Sequence, residues 1–194
     1  MTGILETARL VIRPMADADE GAFTRGIGDR DLRVMYGFPA EIDESFPPRI
    51  FRQFRSLPGA CALEEKETGE MAGFLLDVAP ELPGEIRDTI PGNGRTLAYA
   101  VYPKYQRRGY MREALREYIR QAFAMTDTAY IHCGHFPENL PSEKLLRGLG
   151  FREFSRHTAG KKEIVDEVFF RWKIFFQKGV DLALNCNDTL QPGR

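Results

Sequence analysis

The sequence predicts a mixed α/β fold in which helices pack on a central sheet. Three observations carry that prediction. An apolar run from Leu97 to Tyr102 stops at Pro103, which has no N–H to give a ladder, and after a short basic loop the pattern changes to helical periodicity. Gly59 to Glu65 and Met71 to Val78 are apolar runs joined by the turn-rich Glu67-Thr68-Gly69-Glu70, the signature of an antiparallel hairpin. Phe151 to Thr158 and Val168 to Phe176 alternate well enough to pair as a last hairpin across Ala159-Gly160-Lys161-Lys162, with Val168, Phe170, Trp172 and Ile174 on one face.

The remaining elements follow in chain order. Leu10 to Pro14 is a short strand that the proline ends, and Asp17 or Asp19 is placed to cap a helix running to about Gly26. A weaker helix is expected over Asp29 to Met35, broken by Tyr36-Gly37-Phe38-Pro39, and another over Phe46 to Leu57 with Pro47 or Pro48 in its first turn. The connection from Ala79 to Gly94 holds three prolines and three glycines, long enough to be either a functional loop or a solvated insertion. Its Glu81, Glu85 and Asp88 would attract a cationic substrate. Ala129 to Gly134 reads as a strand, and Pro141 to Leu149 as a short helix closed by Gly150 in the left-handed conformation. No repeat or linker divides the chain, so residues 1–194 are expected to form one domain, with a core of about 8–176 and a polar C-terminal tail over 177–194.

The totals narrow the function. With 194 residues and 43% hydrophobic content the chain has the material for a real core. A net charge of −1 argues against direct nucleic-acid binding, which asks for a broad basic surface. Cys61, Cys133 and Cys186 are odd in number and widely spaced, so neither a disulfide framework nor a metal site is expected, and a reducing cytoplasm fits. The start MTGILETARL lacks an apolar region after a basic one, and no run approaches the ~18 apolar residues of a membrane span.

The chemistry is concentrated where the basic loop meets the helix. Met111, Ala114, Leu115, Tyr118, Ile119, Ala122 and Phe123 recur at helical spacing, with charged residues filling the other side. No Ser, Thr, Asp or Asn stands at the start of that helix, so its first N–H groups lack a side-chain cap. Gln106-Arg107-Arg108-Gly109-Tyr110 occupies the place instead. A glycine for a sharp turn, bare amides at the positive end of a helix, and Lys104, Arg107, Arg108 and Arg112 close by are what a pyrophosphate requires.

The ordered segments ARLVIRP, KETGEMAGF, YAVYPKYQRRGYMREAL and PENLPSEKLLRGLGF resemble the GNAT acetyltransferase superfamily, in particular its ribosomal-protein-alanine N-acetyltransferase-like branch, over residues 8–175. The resemblance implies a mostly antiparallel mixed sheet of about seven strands, splayed between the fourth and fifth, with acetyl-CoA held in the gap. It places Val101 beside the thioester. The family's Q/R-x-x-G-x-G/A loop maps onto Gln106, Arg107, Arg108, Gly109, Tyr110 and Met111, with Met111 where Gly or Ala belongs. Asn139 matches the asparagine that meets pantetheine, or else caps the helix after it.

Leu146 stands where many members have the tyrosine that protonates departing CoA; the branch commonly gives that duty to a serine, and Ser142 matches its place, as catalyst, as cap, or as both. Thr96 occupies the position of a branch glutamate base and cannot serve alone. His135 is the preferred substitute base, the alternative being a histidine bonded to a loop carbonyl; Glu138 or an acid of the 79–94 loop acting through water is a further option. His132 and Cys133 read as packing residues, and Tyr99 points to the acceptor site or into the core according to register. The expected activity is acetyl transfer from acetyl-CoA, without a metal, to a primary amine of a small molecule or a peptide N-terminus, by a cytoplasmic monomer or homodimer. An α-amine, with pKa about 7.7 to 8.0 against about 10.4 for lysine, needs less help from so poor a set of bases. The alternative is a non-catalytic acyl-CoA-binding sensor of the same fold.

Overall fold

The computed structural model describes residues 3–171. Its strands are β1 (Leu5–Glu6), β2 (Leu10–Pro14), β3 (Ala60–Glu65), β4 (Met71–Val78), β5 (Asn93–Val101), β6 (Thr128–His135), β7 (Arg152–Ala159) and β8 (Lys162–Phe170). They form one sheet in the order β1-β2-β3-β4-β5-β6-β8-β7. The helices are α1 (Glu20–Gly28), α2 (Arg30–Tyr36), α3 (Phe46–Arg55), α4 (Gly84–Arg87), α5 (Tyr110–Met125) and α6 (Leu140–Arg147). Neighbouring strands pair antiparallel except β5 and β6, which run parallel because α5 crosses over between them.

That parallel pair opens. β5 meets β6 only from Asn93 to Thr96, against Thr128 to His132, while Leu97 to Val101 keep β4 alone as neighbour. β5 and β6 are the fourth and fifth strands expected from the sequence, so the splay lies where the resemblance put it. The strand count rises to eight because Leu5 and Glu6 pair with Ile12 and Val11, too short a run to carry a pattern of its own.

Helices cover both faces. α5 buries Met111, Ala114, Leu115, Tyr118, Ile119 and Ala122, and Tyr118 donates to Asp77 of β4 at 2.8 Å. On the opposite face Phe23 of α1 and Phe54 of α3 pack around Phe74 of β4, with ring centroids 5.5 to 5.7 Å apart. Full burial of side chains such as Leu115 and Phe74 contributes about 1.5–3 kcal/mol each. Where β4 backs the mouth of the splay it carries Gly73, whose missing Cβ would lie 2.2 Å from the Ala100 carbonyl oxygen. Gly73→Ala is therefore expected to push β5 off β4 and to lower stability by about 1–3 kcal/mol, measured as a denaturant midpoint.

Local chemistry sets the element ends. Asp29 caps α2 by accepting from the Leu32 amide at 2.8 Å, and Gly37 closes it at φ 101°. After α6, Phe151 N–H donates to Leu146 and Gly150 N–H to Arg147, with Gly150 at φ 99°, the Schellman arrangement its glycine promised.

Other expectations change. Asp19 does not cap α1 through its side chain; its carboxylate grips Arg13 at 2.8 Å and the Ala16 amide instead. The connection expected over 79–94 is structured: α4 forms within it, β5 begins at Asn93, and Leu82 and Ile90 pack on Tyr130 and Val168 as a small second core. The final hairpin turns within the expected stretch, with Lys162 opposite Ala159, but its second strand starts at Lys162 rather than Val168, so the charged segment Lys162 to Glu167 is strand. β8 sits between β6 and β7, and its buried Asp166 and Glu167 face histidines of those strands. Trp172, Ile174, Cys186 and the expected tail lie outside the described residues.

Candidate active site

The mouth of the splay is the loop before α5. Gly109 is the residue before the helix, with φ 80°, and no side chain caps the helix start. Arg107, at φ 61°, is the one non-glycine residue with positive φ among the described residues. These two left-handed positions turn the loop sharply into the start of α5, where no side chain caps the first helical amides, the kind of backbone end that can receive an anion. A Cβ on Gly109 would come within 3.6 Å of Arg9 only, so glycine serves the backbone conformation here rather than close packing.

The loop's side chains divide between anchors and a free cation. Tyr110 is buried, donates to Glu65 of β3 and lies beneath Arg9, whose guanidinium is 4.7 Å from the ring centroid. Arg9 also donates to the Arg108 carbonyl at 2.9 Å and pairs with Glu113 in the first turn of α5. Burial raises the Glu113 carboxyl, but hydrogen bonds from Thr7 and Arg9 outweigh it and hold it below the usual range. Arg108 approaches Glu65 at 3.6 Å, Lys104 pairs with Glu70, and Arg112 donates to the Gly148 carbonyl at 3.2 Å. Arg107 makes no hydrogen bond or ion pair with any described side chain, which leaves it the most available of the four expected cations. Met111 turns its side chain into the core, 6% exposed, so its size does not crowd the loop.

From the mouth, β5 lines one wall of the wedge. Tyr102 N–H donates to Ala72 of β4 at 2.9 Å; by the alternation of an antiparallel ladder the backbone groups of Val101, Tyr99 and Leu97 turn the other way, toward β6. The Gln106 amide donates to the Val101 carbonyl at 3.0 Å and ties loop to strand. The Tyr99 side chain crosses toward α6, where its hydroxyl lies 2.8 Å from Ser142 Oγ. Burial keeps the Tyr99 phenol well above its usual range, so it stays protonated. Asn139 caps α6, its side chain accepting from the Ser142 amide at 3.2 Å, so Ser142 Oγ remains free of capping duty. Leu146 is fully buried.

His135 sits at the end of β6 with both ring nitrogens facing protein. Nδ1 bonds the Phe136 carbonyl at 2.9 Å, and Nε2 lies 3.7 Å from Glu167 Oε1 of β8. The carbonyl bond is the alternative that the sequence left open. Burial lowers the imidazole pKa, yet Glu167 and the Phe136 carbonyl outweigh it and the net shift is upward. His135 thus has a backbone carbonyl and a buried carboxylate as its two polar neighbours.

On the opposite face lies a polar array that sequence reasoning missed. Thr96 and His132 are partners in the last β5–β6 pair before the strands part, and Thr96 Oγ is 2.9 Å from His132 Nδ1. His132 Nε2 lies 3.0 Å from Asp166 Oδ1 on β8, while Ser155 and His157 of β7 each reach Asp166 Oδ2 at 2.8 Å. Burial raises the Asp166 carboxyl, but these three bonds pull it below its usual range. Only long-range strand order, with β8 inserted beside β6, brings the five residues together. A cavity of about 310 Å³ lined by Arg87, Asp88, Ile90, Asn93 and Tyr130 lies beneath the 79–94 segment, at the paired end of β5 and away from the wedge.

Comparison with known proteins agrees with this fold. The profile of the acetyltransferase (GNAT) domain matches residues 9–152. No curated protein matches the chain in sequence. Among solved structures the fold is similar to an acetyltransferase from Agrobacterium tumefaciens str. C58, at 21% identity and TM-score 0.71, covering 88% of this chain and 96% of that one. It is similar also to the GNAT-family acetyltransferase from Bacillus anthracis, at 17% identity and TM-score 0.70 over 87% and 98% of the two chains. The ribosomal-protein-S5-alanine acetyltransferase from Vibrio fischeri superposes with TM-score 0.66 at 16% identity, covering 87% and 96%.

Proposed function

The chain belongs to the GNAT acetyltransferase family and is an acyl-CoA-dependent acetyltransferase; from that premise we propose that it acetylates a primary amine, an α-amine of a peptide N-terminus or a small molecule. The observation that carries the reading is the continuity of the wedge: the bare start of α5 at its mouth, outward-facing β5 backbone along its wall, and the Tyr99–Ser142 hydroxyl pair beside it. The residues fit the donor. Arg107 and the amides around Gly109 and Tyr110 would hold its diphosphate, Gln106 and Met111 would shape that loop, and the Val101 and Tyr99 backbone would pair with its pantetheine arm. Arg108 adds positive field, and Asn139 sets the α6 start against the same arm.

Positioning contributes most of the rate in such a site, because a thiolate leaves readily. Ser142 hands its proton to the departing sulfur and is resupplied by Tyr99, a phenol that burial keeps protonated. Acid help to a good leaving group is modest, so Ser142→Ala and Tyr99→Phe should each lower kcat by about tenfold with little change in KM for acetyl-CoA, read as thiol release under saturating acceptor. The choice of an α-amine rests on its readier neutral form and on the fold shared with the S5-alanine enzyme. We place the protein in the cytoplasm as a monomer or homodimer; among its described residues no helix is long and apolar enough to cross a membrane. Free thiol followed with acetyl-CoA and a panel of polyamines, amino acids, aminoglycosides and N-terminal peptides tests the function. Acceptor-dependent release supports it, whereas tight CoA binding with silence across the panel means the non-catalytic sensor.

A further inference from the structure

We propose that Thr96, His132 and Asp166 form the proton-accepting relay of the transfer reaction, with Thr96 as the group that meets the acceptor amine. The proposal rests on the acetyl-transfer reading above and adds the base which that reading lacks. Its ground is geometric. Thr96 and His132 close the vertex of the wedge, and their side chains lie on the face opposite Tyr99 and Ser142, so a thioester in the wedge would have a proton donor on one side and a proton acceptor on the other.

The hydrogen bonds run in one direction. The Glu81 amide donates to Thr96 Oγ at 2.9 Å, so one oxygen lone pair is already occupied. Asp166 accepts from Ser155, His157 and His132; an ionised carboxylate accepts only, so His132 carries its proton on Nε2. With the imidazole neutral, as a proton acceptor must be, Nδ1 is the bare nitrogen and the Thr96 O–H donates to it. A hydroxyl aimed at an imidazole that a buried carboxylate orients is the arrangement that activates hydroxyl groups elsewhere in enzymology. Thr96 cannot act as a base alone, but it can in this chain of bonds.

Proton balance follows. The bound alkylammonium first gives one proton to Thr96 Oγ while the threonine's own proton passes to His132 Nδ1; the neutral amine then bonds to the thioester carbon and loses its second proton to solvent. The resulting imidazolium keeps its Nε2–H on Asp166, which is fully buried and held charged by His157 and Ser155. The C–S bond breaks with its electron pair on sulfur, and Ser142 protonates that thiolate. His132 returns its proton to solvent once product leaves. Gly134, the next residue of β6 on this face, is exposed, while Thr96 and His132 beside it are buried; a Cβ at Gly134 would meet Ile164 Cγ2 at 3.1 Å and His132 Cε1 at 3.8 Å.

The test compares two acceptors in each variant: a basic aliphatic amine, which must lose a proton to react, and hydroxylamine, which is already neutral at pH 7. Thr96→Val and His132→Gln should lower kcat for the aliphatic amine by about a hundredfold and for hydroxylamine by much less, with unchanged affinity for CoA by calorimetry. Thr96→Ser, which keeps the hydroxyl, should restore the aliphatic rate. Equal losses on both acceptors, or a Thr96→Val enzyme as active as the wild type, would overturn the relay while leaving acetyl transfer intact. A wild-type protein that binds CoA yet releases no thiol with any amine removes the reaction itself, and the relay with it.

Discussion

Gly109→Val is expected to weaken CoA binding by about a hundredfold while leaving the fold intact. The residue holds φ 80° at the uncapped start of α5, a conformation that a β-branched side chain resists by about 1–2 kcal/mol. Relieving that strain rotates the neighbouring amides away from the diphosphate, and each hydrogen bond to a charged group is worth about 1.5–3 kcal/mol, so loss of one or two accounts for the factor. Packing does not intervene, because the nearest atom to the new Cβ is a mobile Arg9 nitrogen at 3.6 Å. Calorimetric titration with CoA reads the effect directly. An unchanged Kd would mean that the diphosphate lies elsewhere, and the wedge would lose its mouth.

A second large effect is expected at His135, in stability rather than turnover. Removing it by His135→Ala leaves Glu167, fully buried and without a hydrogen bond to either oxygen, with only the half-exposed Arg147, 4.0 Å away, to balance it among the described residues, at a cost of about 3–5 kcal/mol. Pairing the change with Glu167→Leu should recover most of that loss, since the cost lies in the orphaned charge. The pH dependence has a definite sign. The folded-state pKa of His135 is above its ordinary value of 6.5, so its contribution is complete below about pH 6.5 and fades as pH rises through the raised value. Denaturant midpoints of the wild type should fall across that window, and those of the double variant should not. A parallel fall in both would assign the dependence to other groups.

His135 also shows where sequence reasoning reached its limit. Its place at the end of the fifth expected strand was legible, and so was the chemistry of an imidazole near neutrality. What decides its role is Glu167, more than thirty residues later in a segment whose charges disguise a strand. The surroundings of His132, expected as a packing residue and buried here, were hidden for the same reason: its partners Thr96, Asp166 and, through Asp166, His157 come from three other strands. The CoA loop was the opposite case. Gly109, Tyr110 and the amphipathic run that follows are contiguous, so backbone freedom, a missing cap and helical periodicity could all be read within a few residues.

By itself the sequence determined the local devices: strands ended by Pro14 and Pro103, the helix break at Gly37, the left-handed closure at Gly150, the apolar face of α5, and its uncapped start. Only the tertiary structure decided which polar side chains became partners. Burial of Asp166 and Glu167 is tolerable only where histidines from neighbouring strands satisfy or balance them, and strand order is set by the summed packing of the whole sheet rather than by any one stretch of chain.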